Sequence, residues 1–166
     1  MTPETAKALL EFLLPQLQQE SATTRKVLAA VPSQRCDYKP SELCMSGLDL
    51  AGHIAAAEVF FLSGVVNGAF EWKQPEFKTP AEVVAFYDAN VPALVAKVGA
   101  MPADKLAQTV TFSIWTDPAV TFLNLGLKHG IHHRGQLSSY LRPMGGKVPS
   151  IYGPSADEPR EAASGA

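Results

Sequence analysis

The chain has 166 residues, 46% of them hydrophobic and 18% charged, and its 14 basic and 16 acidic side chains give a formal net charge of −2. A chain of this length typically forms one domain with a substantial buried core. The absence of a Lys/Arg cluster argues against nucleic-acid binding, and the absence of a purely apolar run of about 18 residues argues against a membrane protein.

The amino terminus places Glu4 before its apolar stretch and lacks the basic region and the small-residue cleavage site of a secretory signal, so we expect a cytoplasmic protein. Two cysteines, Cys36 and Cys44, are too few for a disulfide framework and do not have a CxxC spacing. Both are therefore expected to be free thiols.

Two long helices are predicted in the first half of the chain. Residues 4–31 carry leucine and valine at helical spacing, and Pro15 is expected to kink this helix. A connection over residues 32–45 leads to a second helix over 46–69, which Ser46 or Asp49 can cap.

A third helix is predicted from Thr79 to about Val98, because Thr79-Pro80-Ala81-Glu82 combines a cap, an N-terminal proline and a capping box. Pro92 is expected to kink it. Residues 102–115 are interpreted as a crossover loop, although residues 109–112 alternate weakly like a strand.

Asp117-Pro118 repeats the cap-plus-proline signal and predicts a fourth helix that runs to about Met144 and ends at Gly145-Gly146. Four long helices joined by one or two longer connections favour an all-α four-helix bundle with a crossover connection. We expect one domain over residues 1–153 and a flexible tail over residues 154–166.

Three of the four histidines fall within five residues of the fourth helix. At about 100° per residue, His129 and His133 share the inward face, whereas His132 turns toward the flank. His53 flanks the apolar stripe of the second helix and is available as a third ligand. Three imidazoles with one open position would form a site at which water or substrate can bind.

A bundle without metal is the competing interpretation, because buried histidines are usually core residues satisfied by hydrogen bonds. Burying His129 and His133 together would, however, require partners for four ring nitrogens.

The histidine run and the residues after it carry a signature that extends through Leu50-x-x-His53 on the second helix. Its elements are His129-x-x-x-His133-Arg134-Gly135-Gln136-Leu137, Tyr140-Leu141-Arg142, Gly145, Val148-Pro149 and Tyr152-Gly153. This signature resembles the DinB (YfiT-like) family. The resemblance implies a four-helix bundle with a crossover connection, frequent homodimers, and a divalent metal such as nickel, zinc, iron or manganese held by His53, His129 and His133.

Three polar residues near the histidines receive supporting roles. Arg134 is expected to form a surface or inter-helix ion pair, and a hydrogen bond to Glu58 or to an acidic substrate group is the alternative. Gln136 is expected to orient His133. Glu58 lies about 140° from His53 around the second helix, so we do not expect it to share the metal.

Two aromatic residues at loop ends, Trp115 and Tyr152, are candidate walls of a substrate pocket, with simple packing as the alternative.

The favoured function is a metal-dependent enzyme in which a low-molecular-weight thiol or a water attacks a small-molecule substrate. The resemblance favours the thiol, since relatives include thiol-dependent transferases and isomerases. No carboxylate accompanies the inner histidine pair as a general base, which also suits thiolate chemistry better than hydrolysis. The alternative is a non-catalytic metal-binding bundle with a structural or stress-response role.

Overall fold

The protein is described by a computed structural model that covers residues 1–158. Four long helices, α1 (Pro3–Ala29), α2 (Gly47–Asn67), α3 (Pro80–Gly99) and α5 (Thr121–Leu141), form the bundle. A short helix α4 (Ala103–Ala107) and a hairpin of β1 (Thr109–Phe112) and β2 (Trp115–Pro118) connect α3 to α5, and a single 3-10 turn (Ser33–Arg35) follows α1. The predicted all-α bundle with a crossover connection is confirmed.

Helix α2 packs against α3 and α5, and α1 packs against α3, α4 and α5. By length and composition alone α2 could cross a membrane. It contains no purely apolar run of that length, because Asp49, His53 and Glu58 interrupt its apolar residues. Within the bundle, 67% of its most apolar 18-residue stretch is buried. That burial is typical of a core helix that is apolar on most sides.

Three of the long helices begin at a residue whose side chain accepts a hydrogen bond from the first turn. Such a cap is needed because the first N–H groups of a helix lack intrahelical acceptors. Ser46, rather than Asp49, caps α2 and accepts from the Asp49 N–H at 3.1 Å. Thr79 caps α3 as predicted, but the carboxylate of Glu82 accepts from the N–H of Lys78 at 2.7 Å, not from that of Thr79. The predicted capping box is therefore displaced by one residue.

The two internal prolines do not break their helices. Helix α1 is continuous through Pro15, and α3 is continuous through Pro92. The two helices end within two residues of the predicted positions.

The prediction that Asp117-Pro118 begins the last helix is wrong, because both residues lie in β2. Asp117 pairs with Val110, and Pro118 pairs with Thr109 at the end of the ladder, where a missing N–H donor is tolerated. Ser113, with φ 57°, provides the tight turn between the strands. Helix α5 begins at Thr121 without a side-chain cap.

Helix α5 ends at Leu141, earlier than predicted, and a turn leads to Gly145. Gly145 has φ 86°, the left-handed conformation predicted at this helix end. The carboxylate of Asp157 then accepts from Arg142 Nε and from the Val148 N–H, both at 2.9 Å, and holds the following segment against α5. Of the tail predicted to be flexible, residues 159–166 lie outside the described residues.

Candidate metal centre

Three imidazoles meet between α2 and α5. One ring nitrogen from each of His53, His129 and His133 lies within 4.8 Å of the other two. The closest pair is His53 Nε2 and His129 Nε2, at 3.2 Å. All three side chains are half-buried, so this group is accessible from solvent on one side.

The spacing of the closest pair fits a shared cation. Two imidazole nitrogens bound at about 2.0–2.1 Å to one tetrahedral ion lie roughly 3.3–3.4 Å apart. The observed 3.2 Å between His53 and His129 is close to that separation. Together with His133, the pair forms a group that could hold a divalent metal ion.

Burial and neighbouring rings favour the neutral form of His53 and His129, which is the form that binds a metal. The pKa of His129 is lowered to about 4, chiefly by burial and then by the neighbouring rings of His133, His53 and His132. The pKa of His53 is also lowered, first by burial and then by His133. Both shifts reduce the competition between protons and a cation for these two rings.

Gln136 contacts His133 as predicted. The side-chain oxygen of Gln136 lies 3.1 Å from His133 Nδ1, one helical turn along α5. With Nδ1 engaged, the other ring nitrogen of His133 remains for a ligand role.

His132 is exposed and lies outside the group of three, as its predicted position on the flank requires. Its ring is nevertheless 4.8 Å from that of His133, edge to face. It therefore contacts the cluster from the solvent side.

An aromatic wall beside the histidines was not predicted. The ring of Trp72 lies 5.6 Å from that of His53 and 5.4 Å from that of Phe60, and 48% of Trp72 is exposed. Phe61 contacts His129 at a ring distance of 5.6 Å. Trp72 lies in an irregular segment without periodicity. Its aromatic residue type was therefore the only feature of the sequence from which a role in the site could have been predicted. The candidate Trp115 instead lies on the hairpin, 5.9 Å from Phe112.

Arg134 forms an inter-helix ion pair, as expected, and the alternative contact with Glu58 is wrong. The guanidinium is 1% exposed and binds the Glu20 carboxylate, the Glu20 carbonyl oxygen at 3.1 Å and Thr24 Oγ1 at 3.3 Å, all on α1. The Tyr152 hydroxyl bonds to both Arg134 and Glu20, and its ring lies 5.3 Å from the guanidinium carbon. Tyr152 therefore packs against this ion pair, and its role as a pocket wall stays a prediction.

Glu58 lies outside the histidine group, as its position on α2 predicted. Its carboxylate accepts hydrogen bonds from the hydroxyls of Ser21 and Tyr87, the latter at 2.7 Å. Burial raises the pKa of this carboxyl, more than the two hydrogen bonds lower it. Glu58 thus joins α2 to α1 and α3 within the core.

Comparisons with known proteins agree with this architecture. The sequence profile of the DinB family matches residues 4–163. The chain is 28% identical over 128 residues to the uncharacterized protein YjoA of Bacillus subtilis, covering 74% of this chain and 82% of YjoA. It is 24% identical over 153 residues to the uncharacterized protein YrdA of the same organism, covering 90% and 91%.

Two crystal structures show the same fold. The DinB-like protein YjoA from Bacillus subtilis superposes with a TM-score of 0.68 at 24% identity, covering 80% of this chain and 92% of that one. A DinB-like protein from Bacillus cereus superposes with a TM-score of 0.74 at 23% identity, covering 86% and 97%.

Proposed function

Since the chain belongs to the DinB family and brings three imidazoles together, we propose that His53, His129 and His133 bind a divalent cation in a metal-dependent enzyme. The observation that carries the proposal is the 3.2 Å approach of two Nε2 atoms from different helices. Nickel, zinc, iron and manganese are all candidates, because ligand type alone does not select among them. A bound divalent cation supplies acidity, lowering the pKa of a thiol or water that binds it.

The open side of the group favours an enzyme over a structural metal site. Among residues 1–158, no fourth His, Cys, Asp or Glu joins the three histidines. Structural zinc sites usually close four positions with protein ligands, whereas catalytic sites keep one for water or substrate. The non-catalytic bundle remains the alternative that a fourth protein ligand would favour.

A thiol is the preferred nucleophile, because the group contains no carboxylate to act as a general base. Glu58 is already engaged by Ser21 and Tyr87. Because a thiol is a stronger acid than water, a bound cation would hold more of it as the anion, which needs no base at the moment of attack. We therefore propose a thiol-dependent transferase, with hydrolysis as the second possibility.

Trp72 gives the proposed substrate an apolar surface to contact. Its half-exposed indole flanks His53, where it can stack on an apolar or aromatic group of a small molecule. We propose a small-molecule substrate, a low-molecular-weight thiol as co-substrate, a cytoplasmic location and a homodimer.

The proposal is tested by metal analysis of protein purified without a His-tag. We expect about one divalent ion per chain, and expect loss of that ion on His53→Ala. If the protein binds no divalent ion after incubation with zinc, nickel, iron and manganese in turn, the metal proposal is wrong.

The fourth position is tested with cobalt-substituted protein. A low-molecular-weight thiol such as glutathione should add a thiolate-to-metal absorption band, and a screen of small electrophiles would follow. A spectrum that shows four protein ligands and no response to thiols would support the non-catalytic alternative.

A further inference from the structure

Hydrogen bonds continue outward from His133 beyond Gln136. The amide nitrogen of Gln136 donates to the hydroxyl of Tyr140 at 3.1 Å, while its oxygen faces His133 Nδ1 at 3.1 Å. The spacings of three and four residues place all three side chains on one face of α5. Tyr140 is only 4% exposed, so its ring is fixed by packing.

We propose that Tyr140, acting through Gln136, is a positioning residue that fixes the tautomer of His133. This inference rests on the proposed metal-binding function of His133. An amide has one accepting end and one donating end. When the donating end is engaged by Tyr140, only the oxygen can face the imidazole, so the ring hydrogen must lie on Nδ1 and the lone pair on Nε2.

The opposite orientation of the Gln136 amide would prevent His133 from binding a cation through Nε2. If Gln136 presented its nitrogen to His133, Nδ1 would accept and the ring hydrogen would lie on Nε2. That nitrogen would then have no lone pair for a cation. The orientation of one amide therefore decides whether His133 is ready to bind.

The tautomer can be read directly in metal-free protein. Long-range proton–nitrogen NMR correlations above pH 7 distinguish a ring hydrogen on Nδ1 from one on Nε2. We expect His133 of the wild-type chain in the Nδ1–H form, and a mixture of both forms in Tyr140→Phe. The matched control is Tyr38→Phe, which removes a hydroxyl from the ring that packs edge-on against Tyr140 at 5.9 Å.

Zinc affinity, measured by competition with a chelator, gives the second readout. Loss of a hydrogen-bond partner of a ligating histidine typically weakens metal binding by about 10- to 100-fold. We expect about tenfold weaker binding in Tyr140→Phe, no change in Tyr38→Phe, and near wild-type binding in Gln136→Glu, whose carboxylate can accept from both neighbours.

Two results would overturn the inference: wild-type His133 with its hydrogen on Nε2, or the same tautomer mixture in Tyr140→Phe and Tyr38→Phe. Because the tautomer is read without metal, a chain that binds no zinc would contradict the proposed function separately.

Discussion

The imidazoles of His53 and His129 face each other across the contact between α2 and α5, with their Nε2 atoms 3.2 Å apart. Two cationic rings would repel each other strongly at this distance, and burial, followed by repulsion from His133, lowers the pKa of both. The contact therefore selects neutral imidazoles, which can either share a hydrogen or bind a cation.

Replacement of His133 by Ala should abolish metal binding, whereas replacement of His132 by Ala should leave the metal content unchanged. The reason is that His133 belongs to the group of three, while His132 is exposed on the flank. Elemental analysis of tag-free protein gives the metal content, and circular dichroism checks that the helices persist. Equal loss of metal from both variants would contradict the ligand assignment.

The metal-free protein should lose stability as the pH falls from about 6.5 to about 4. Over this interval the unfolded chain protonates His129, whose ordinary pKa is 6.5, while the folded chain keeps it neutral because burial lowers its pKa to about 4. The unfolded state then binds more protons, so acidification favours it. Urea unfolding at several pH values should show a flatter profile for His129→Gln. An unchanged profile would mean that folding does not lower the pKa of His129.

Arg134→Ala should cost about 3–5 kcal/mol of unfolding free energy, because it removes one partner of a buried ion pair. The guanidinium is 1% exposed and binds Glu20, Thr24 and Tyr152. Urea unfolding measures the change. The matched control is Arg25→Ala, whose pair with Asp88 is exposed and should contribute about 0–1 kcal/mol. Equal losses would show that burial of the Arg134 pair does not decide its contribution.

Gly126→Ala should destabilise the bundle by roughly 1–3 kcal/mol through overpacking. A methyl group at this position would lie 2.9 Å from Cβ of Phe61, whose ring contacts His129. Metal affinity should therefore fall along with thermal stability. Gly130→Ala on the same helix is the control, since a methyl group there meets nothing within 4 Å and should stabilise by up to about 1 kcal/mol. The reverse order of stabilities would refute this prediction.

Binding of nickel or cobalt should quench the fluorescence of Trp72, because its ring lies 5.6 Å from that of His53. The chain has one other tryptophan, Trp115, which packs on Phe112 in the hairpin. Titration of Trp72→Phe should show most of the quenching lost, and titration of Trp115→Phe should show it retained. Quenching that depends on Trp115 instead would argue for a different metal site.

The four long helices could be predicted because each combines helical spacing with local start or stop signals. Ser46 and Thr79 do cap α2 and α3, and Gly145 does adopt the left-handed conformation. These features depend on a few neighbouring residues, so their physics is contained in short stretches of sequence.

Features that depend on distant residues were predicted less well. Asp117-Pro118 is compatible both with a helix start and with the end of a hairpin. Pairing of β2 with β1 stabilises the hairpin in this protein. An ion pair of Arg134 could be expected from its residue type, but which neighbouring helix it meets depends on the arrangement of the bundle. That arrangement brings it to Glu20 on α1, not to Glu58 on α2.

Assembly of the histidine group has a consequence for synthesis, because His129 follows His53 by 76 positions in the chain. During translation, α2 leaves the ribosome long before α5 exists, so the emerging chain cannot offer a complete ligand set. An ion that binds all three histidines would arrive after the last helix has docked. It would then link the two halves of the chain, and the stability that it adds would grow with the logarithm of the free metal concentration.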